Sequence, residues 1–494
     1  MRFLLKINLL LLAACVMLAS CTKNFDQTNT DPNRPKTITP GVLLGQMQYR
    51  FVNASIGSAR NFGHELMQVT APRNSTSGGV HRYVVTNSSN SGLWSSFYTL
   101  LADVQELYNT SEKLNEKNYQ AIAMIYKAWS YSILTDAFGD IPFSQTMQAA
   151  QGNLQPAFDK QKDIYTQLFK DLDSANKWLT GARSFRYSGD MVYRANPDHK
   201  DSLVNMYKWR KFSNSLRLRM LLRISKRNGE LNVNEQINTI LANPTIYPVF
   251  AANEDDAIFS YPGTNPFYNP YYNARESDWK FDNAYTQFFL NKMNADNDPR
   301  RAVWAFTVGT PPVYQGIQSG YTSDVVYVPG ANSSYSDGLK TNAQLGVMMS
   351  YAEVEFIKAE LALKGFNTGS APQVHYERGI TASMKQWGAP MPAGYLAQPG
   401  VAYNAAATTE QQLEQIMQQK YYAFFFTDLQ AWFEKKRTGY PVLPRGAGIP
   451  AANQFPSRCP YPTYLQSLNP ANLAKAVQDI GGADLSTVKG WWEK

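Results

Sequence analysis

The chain has 494 residues, a formal charge of +8, 13% aromatic residues and only 17% charged ones. That length is ample for a large core, and a mild positive bias without any Lys/Arg block argues against a nucleic-acid partner. Three cysteines, Cys15, Cys21 and Cys459, exclude a disulfide-built scaffold.

In chain order, Arg2 and Lys6 open a positive n-region, and Ile7 to Leu18 is almost wholly apolar. Small residues then precede Cys21 in the stretch LASC. The run is short for a bilayer span and has the layout of a secretory signal. LASC resembles the lipobox of bacterial lipoproteins, which implies cleavage before Cys21 and diacylglycerol on its thiol. The alternatives are an ordinary signal with an incidental cysteine, or a short anchor helix. One acyl chain holds a protein only marginally, so stable attachment needs at least two, which a lipidated cysteine would supply. The expected organisation is signal peptide 1–20, lipidated Cys21 and polar tether 21–40, and a single domain 41–494. Thr22 follows the cysteine, where Asp would imply inner-membrane retention in some lipoproteins, so the outer membrane is expected. Acidic runs after the cysteine mark surface export in related lipoproteins; here Lys23, Asn24 and Asp26 leave the facing open. With the signal gone, Cys459 has no intramolecular partner.

Beyond the tether, helices are expected around Leu93 to Leu114, Ile164 to Leu179 and Val374 to Trp387. Tyr119, Ile122, Tyr126, Trp129 and Ile133 recur at steps of three and four, and Gly139 and Pro142 end that run. Trp209, Phe212, Leu216 and Met220 form another stripe, with Arg217, Arg219, Arg223 and Lys226 largely around it; salt bridging to neighbouring helices is the favoured reading of these cations. Met349, Ala352, Phe356, Ala359 and Leu363 form a third, with Gly365 placed as a C-cap. A further helix is expected through LEQIMQQKYYAFFFTDLQAWFEKKR. Between them lie long loops at Arg73 to Gly92, Tyr261 to Phe281, Gly309 to Asn342 and Tyr440 to Asn469, a length often tied to function.

Segments along the chain resemble the SusD/RagB family of nutrient-binding outer-membrane lipoproteins, especially its SusD-like branch. They are NTDPNRP (29–35), DAFGDIPF (136–143), FDKQKDIY (158–165), DLDSA (171–175) and WRKFSNSLRLRMLLRIS (209–225). They continue with NDPR (297–300), SYAEVEFIKAELALKG (350–365), QQKYYAFFFTDLQAWFEKKRTGYP (418–441) and PSRCPYP (456–462). The resemblance implies a mainly α fold, with helix pairs in tetratricopeptide-like units and long irregular loops and a few short strands packed on them. It also implies a non-catalytic protein that binds oligosaccharide and acts as the lid of a TonB-dependent transporter (SusC/RagA-like), lipid-anchored at the outer membrane and facing the cell surface. Oligopeptide is the alternative ligand. Turn chemistry makes DAFGDIPF scaffold, with Gly139 and Pro142 ending a helix and Asp136 and Asp140 bonding nearby amides.

Sugars present apolar C–H faces and polar hydroxyl edges, so a site needs open rings beside amides or charges. YPGTNPFYNPYYNARESDWKF offers Tyr268, Tyr271, Tyr272 and Trp279 among Asn265, Asn269, Asn273, Arg275 and Asp278. RNSTSGGVHRYVVTNSSNSGLW offers Arg73, Arg82, Tyr83 and Trp94, although Trp94 also opens a helical pattern. Ring packing within the loops is the competing reading of these aromatics. Nothing points to a cofactor or metal. His64, His81, His199 and His375 have no metal-ligand spacing, HELMQ lacks the second His of a zinc protease, no GxSxG occurs, and NADNDPR lacks most ligands of a calcium loop. Distant paired carboxylates keep a surface glycoside hydrolase as the alternative from another class.

Overall fold

The computed structural model describes residues 38–74, 78–181, 184–194 and 202–494. The signal peptide, Cys21, most of the tether and His199 lie outside them. From Pro40 to Lys494 the chain forms one unit.

Five long helices follow one another in space: α1 Pro40–Ser58, α2 Ser91–Lys113, α3 Lys117–Phe138, α4 Gln161–Trp178 and α5 Ser202–Arg223, each packed on the next. Helix α2 buries one stripe, Leu93, Trp94, Phe97, Leu100, Leu101, Val104 and Leu107, at helical spacing. Three residues then reverse the chain, and Asn115 supplies the left-handed turn with φ 58°. Helix α3 is buried on nearly every side, which is why its sequence shows little amphipathic contrast. It stops at Gly139, whose φ of 86° is closed to residues with a Cβ. Helix α6 Val233–Ala242 packs on α5, and α7 is Gln287–Ala295.

The second half adds α8 Tyr351–Leu363, α9 Pro372–Gln386 and α10 Thr409–Ala423, with α8 packed on both others and on α5. Ser350 caps α8 by accepting from the Glu353 amide, Gly365 ends it with φ 87°, and Thr408 and Gln411 form a capping box on α10. The one long helix expected from residue 413 to 437 is instead two, α10 and α11 Gln430–Thr438. Phe426 and Asp428 take φ 61° and 31° at the break. Packing outweighs propensity there: the Phe425 ring stacks on Trp304 at 4.4 Å, and His64 Nε2 accepts from the Phe426 amide. Helix α12 is Pro470–Asp479.

Strands are few and short. β1 Thr70–Pro72 pairs with β5 Asn283–Tyr285, β2 Ile141–Pro142 with β3 Phe158–Asp159, and β4 Ala257–Phe259 with β6 Gly346–Met349, all antiparallel. Each ties a loop to the helical stack.

The arginines of α5 are structural, as read from sequence. Arg219 binds Glu353 of α8, Arg223 meets Glu434 of α11 at 3.1 Å, and Arg217 reaches Asp173 of α4 at 3.5 Å. Arg437 and Lys420 complete a buried ion network with Glu360 and Glu434. Asp136 accepts from Tyr165 Oη at 2.7 Å and from Trp492 Nε1 at 2.8 Å, which locks the last residues onto α3. Lys436 sits 4.5 Å and 4.7 Å from the Trp432 and Trp492 rings and pairs with Glu493. Asp140 accepts from the Gln161 amide at 2.9 Å, so DAFGDIPF joins the end of α3 to the start of α4.

Candidate functional site

The loops carrying the sequence candidates pack on one another, and that packing decides which rings stay open. Arg73 is fully buried and staples three loop segments, donating to the carbonyls of Lys280, Asn283 and Asn332. Arg82, also buried, gives Nε and Nη2 to the Tyr321 carbonyl at 3.0 and 2.7 Å. Tyr83 is buried edge-on against Phe455. Trp94 is a core ring of α2, edge-on to Phe138 at 5.0 Å. These four candidates present nothing to a ligand in this conformation; a loop arginine that finds three carbonyls is a structural tie.

The second stretch divides. Trp279 is 1% exposed, donates Nε1 to the Ser336 carbonyl at 3.1 Å, and lies against Tyr335 and Tyr271. Asn269 is buried, its amide nitrogen bound to the carbonyls of Leu339 and Asn342 and its oxygen to the Tyr271 amide. Both are supports. Above them Tyr268 and Tyr272 stack with centroids 4.7 Å apart and planes 24° off parallel. Tyr272 is 46% exposed, and Asn265, Asn273 and Arg275 around it are exposed. Tyr49 of α1 donates to the Tyr268 carbonyl at 3.0 Å and fixes the loop to the scaffold.

Arg60 belongs to the same surface and carried no signal in the sequence, because it continues the register of α1. It sits in a π-turn, Ala59–Gly63, a local widening often found at functional sites. Its guanidinium lies 5.3, 5.4 and 5.6 Å from the ring centroids of Tyr271, Trp279 and Tyr335, and Nη2 donates to the Asp278 carbonyl. Burial pushes the Tyr271 phenol well above its ordinary range, opposed by that guanidinium, so the hydroxyl stays protonated. Arg275 holds the exposed Asp278 carboxyl below its ordinary value. The surface offers a stacked ring pair beside exposed amides and a half-buried cation. That suits a flat, hydroxylated ligand.

Among the described residues no cluster of three His, Cys, Asp or Glu could hold a metal. Asp296 is paired with Lys292 and Asp298 with Arg300, which accounts for the acidic NADNDPR loop. No helix among the described residues is long and apolar enough to cross a membrane.

A stack of helix pairs with a few short strands and long loops packed on it is a mainly α fold of tetratricopeptide-like build. The chain belongs to the SusD-like family described as "starch-binding associating with outer membrane", whose family model matches residues 32–462. Its fold is that of several solved SusD homologs. One from Bacteroides uniformis is 27% identical with a TM-score of 0.78, over 92% of this chain and 99% of its own. One from Bacteroides fragilis is 24% identical with a TM-score of 0.77, over 93% and 100%. A chitin-binding SusD homolog from Flavobacterium johnsoniae is 24% identical with a TM-score of 0.76, over 91% and 99%. No curated protein matches the chain.

Proposed function

We propose that this protein binds oligosaccharide at the cell surface and hands it to a TonB-dependent transporter as that transporter's lid, held to the outer membrane by acyl chains on Cys21. The observation that carries the ligand class is the stacked Tyr268–Tyr272 pair, half-buried at Tyr268 and exposed at Tyr272, in a loop with exposed Asn265 and Asn273 and braced from α1. A chitin-binding relative of the same fold supports a glycan over a peptide.

The test is calorimetry of the full chain in detergent against chito- and malto-oligosaccharides and peptide pools. Dissociation constants between about 1 μM and 1 mM are expected, because a shuttling lid must release its load. Tyr268→Ala with Tyr272→Ala should weaken glycan binding about tenfold or more, since each ring covers roughly 40 Å² of sugar face at about 25 cal/mol per Å². An unaltered helical circular-dichroism signal should accompany that loss. Unchanged binding in the double variant removes the platform, peptide-only binding removes the glycan, and release of reducing sugar makes the protein a hydrolase. Cys21→Ala should free the protein from membranes, and mild-detergent pull-down of the wild type should recover a barrel transporter.

A further inference from the structure

A large cavity shares no residue with the aromatic platform. It is a groove of about 790 Å³ between α2, α3, α4 and the loop that joins β2 to β3, and it shares no residue with the loops at 73–90 or 261–282. That volume falls within the ordinary range of small-ligand sites, roughly 300–1,000 Å³. We propose that this groove is a second carbohydrate site, taking a short neutral oligosaccharide against the ring of Phe143. The sugar class rests on the function proposed above; the location rests on the groove alone.

Phe143 ends the DAFGDIPF motif, and its ring is half-buried on the groove wall. Its position is set from several sides. Asp159 accepts from the amides of Phe143 and Ser144 at 2.9 Å each and from Ser144 Oγ at 2.6 Å. Tyr131 packs edge-on at 4.7 Å, and the Phe143 carbonyl accepts from Thr146 Oγ1 at 2.7 Å. Met147, which also lines the groove, is held at φ 61°, a conformation rare outside glycine and one that recurs at ligand clamps. The 15-residue connection between the paired strands β2 and β3 is longer than a hairpin needs, and it forms the groove's rim.

The polar lining fits hydroxyls better than charges. Lys127 is the sole cation among the lining residues; it lies 5.0 Å from the Phe143 centroid and is paired with buried Asp171 at 2.9 Å. Asp171 also accepts from Gln167 Nε2 at 2.8 Å. With Asp159 and Asp163 left beside the Lys127–Asp171 pair, the groove repels phosphate and uronate. The lining also carries side-chain amides on α2, α4 and the rim: Gln105 donates to Asn109 at 2.8 Å, Gln148 to the Ser144 carbonyl at 3.1 Å and Gln167 to Asp171, and each keeps a second N–H and its own carbonyl oxygen. An amide both donates and accepts, as a sugar hydroxyl does, so the groups left over from these internal bonds can meet hydroxyls. The half-buried ring of Tyr108, on α2, supplies a second apolar face.

Hydrogen–deuterium exchange on the full chain in detergent, with chitohexaose and maltohexaose as probes and a neutral hexapeptide as control, separates the two sites. At least one sugar should protect residues 143–151 and the facing turns of α2 and α4. Tyr108→Ala with Gln167→Ala should cut affinity for that event about tenfold while protection at 261–282 is unchanged. Tyr268→Ala with Tyr272→Ala should do the reverse. Protection of the groove alone upholds this inference while the platform reading fails. Protection of the platform alone, or of neither, overturns it, as does groove protection by the peptide and not by a sugar.

Discussion

Arg437→Met removes the cation that holds two buried carboxylates. Arg437 donates to Glu360 and to Glu434 at 2.6 Å each, and all three side chains are almost fully buried. Burial pushes the Glu360 carboxyl upward, but Arg437 and its hydrogen bonds outweigh that and hold it at about 2, below its ordinary 4.5. A depression of that size is worth about 3 kcal/mol at neutral pH. Truncating one partner of a buried pair costs about 3–5 kcal/mol by experience with such pairs, so the two scales agree. With an unfolding entropy of roughly 1 kcal/mol per kelvin for a unit of this length, the melting temperature should fall by about 3–5 °C at pH 7. The sign with pH follows from the lowered value. The contribution is present above about 4.5 and disappears as pH falls toward 2, so the deficit should narrow over that window. Scanning calorimetry from pH 7 to pH 3 reads both quantities. Adding Glu360→Gln should recover part of the loss by removing the stranded charge. A melting temperature within about 1 °C of wild type at pH 7, or a deficit that ignores pH, refutes the assignment of this network as a net stabiliser.

Burial raises Asp256 to about 7, so the folded state keeps a proton that the unfolded chain releases near 4; stability should fall as pH rises between those values, and Asp256→Asn should flatten that part of a denaturation-against-pH curve. Cys459 is buried, with its thiol pushed up to about 12, so it should resist a disulfide-exchange reagent at pH 8 and react stoichiometrically in guanidinium. A Cβ at Gly448 would stand 2.0 Å from the Tyr321 carbonyl oxygen, so Gly448→Ala should cost about 1–3 kcal/mol of stability by thermal melt.

The helical scaffold could be read because its stripes are local. Tyr119 to Ile133 and Trp209 to Met220 repeat at three and four residues, and both lie buried where the period puts them. The break at Phe424–Leu429 could not, since the residues there favour helix and only His64 and Trp304, distant in sequence, explain the turn. Which rings stay open could be narrowed to a loop by composition but not to residues. Tyr272 and Asn273 remain open and Tyr268 half-buried, whereas Trp279 and Arg73 sit in equally polar, glycine-rich company and are buried because other loops close over them. Arg60 and Phe143 were hidden for the opposite reason: one reads as helix and the other as turn.

The C-terminal lock on α3 sets an order of events in time. Asp136 finds its indole partner 356 positions later, and Glu360 waits 77 residues for Arg437. A chain made from its N-terminus therefore meets Asp136 with Arg223, and Glu360 with Lys364, well before Trp492 and Arg437 complete either set of partners. Contacts this distant in sequence close slowly. The last contacts that α3 and α8 make, through Trp492 and Arg437, thus form only after almost the whole chain has been made.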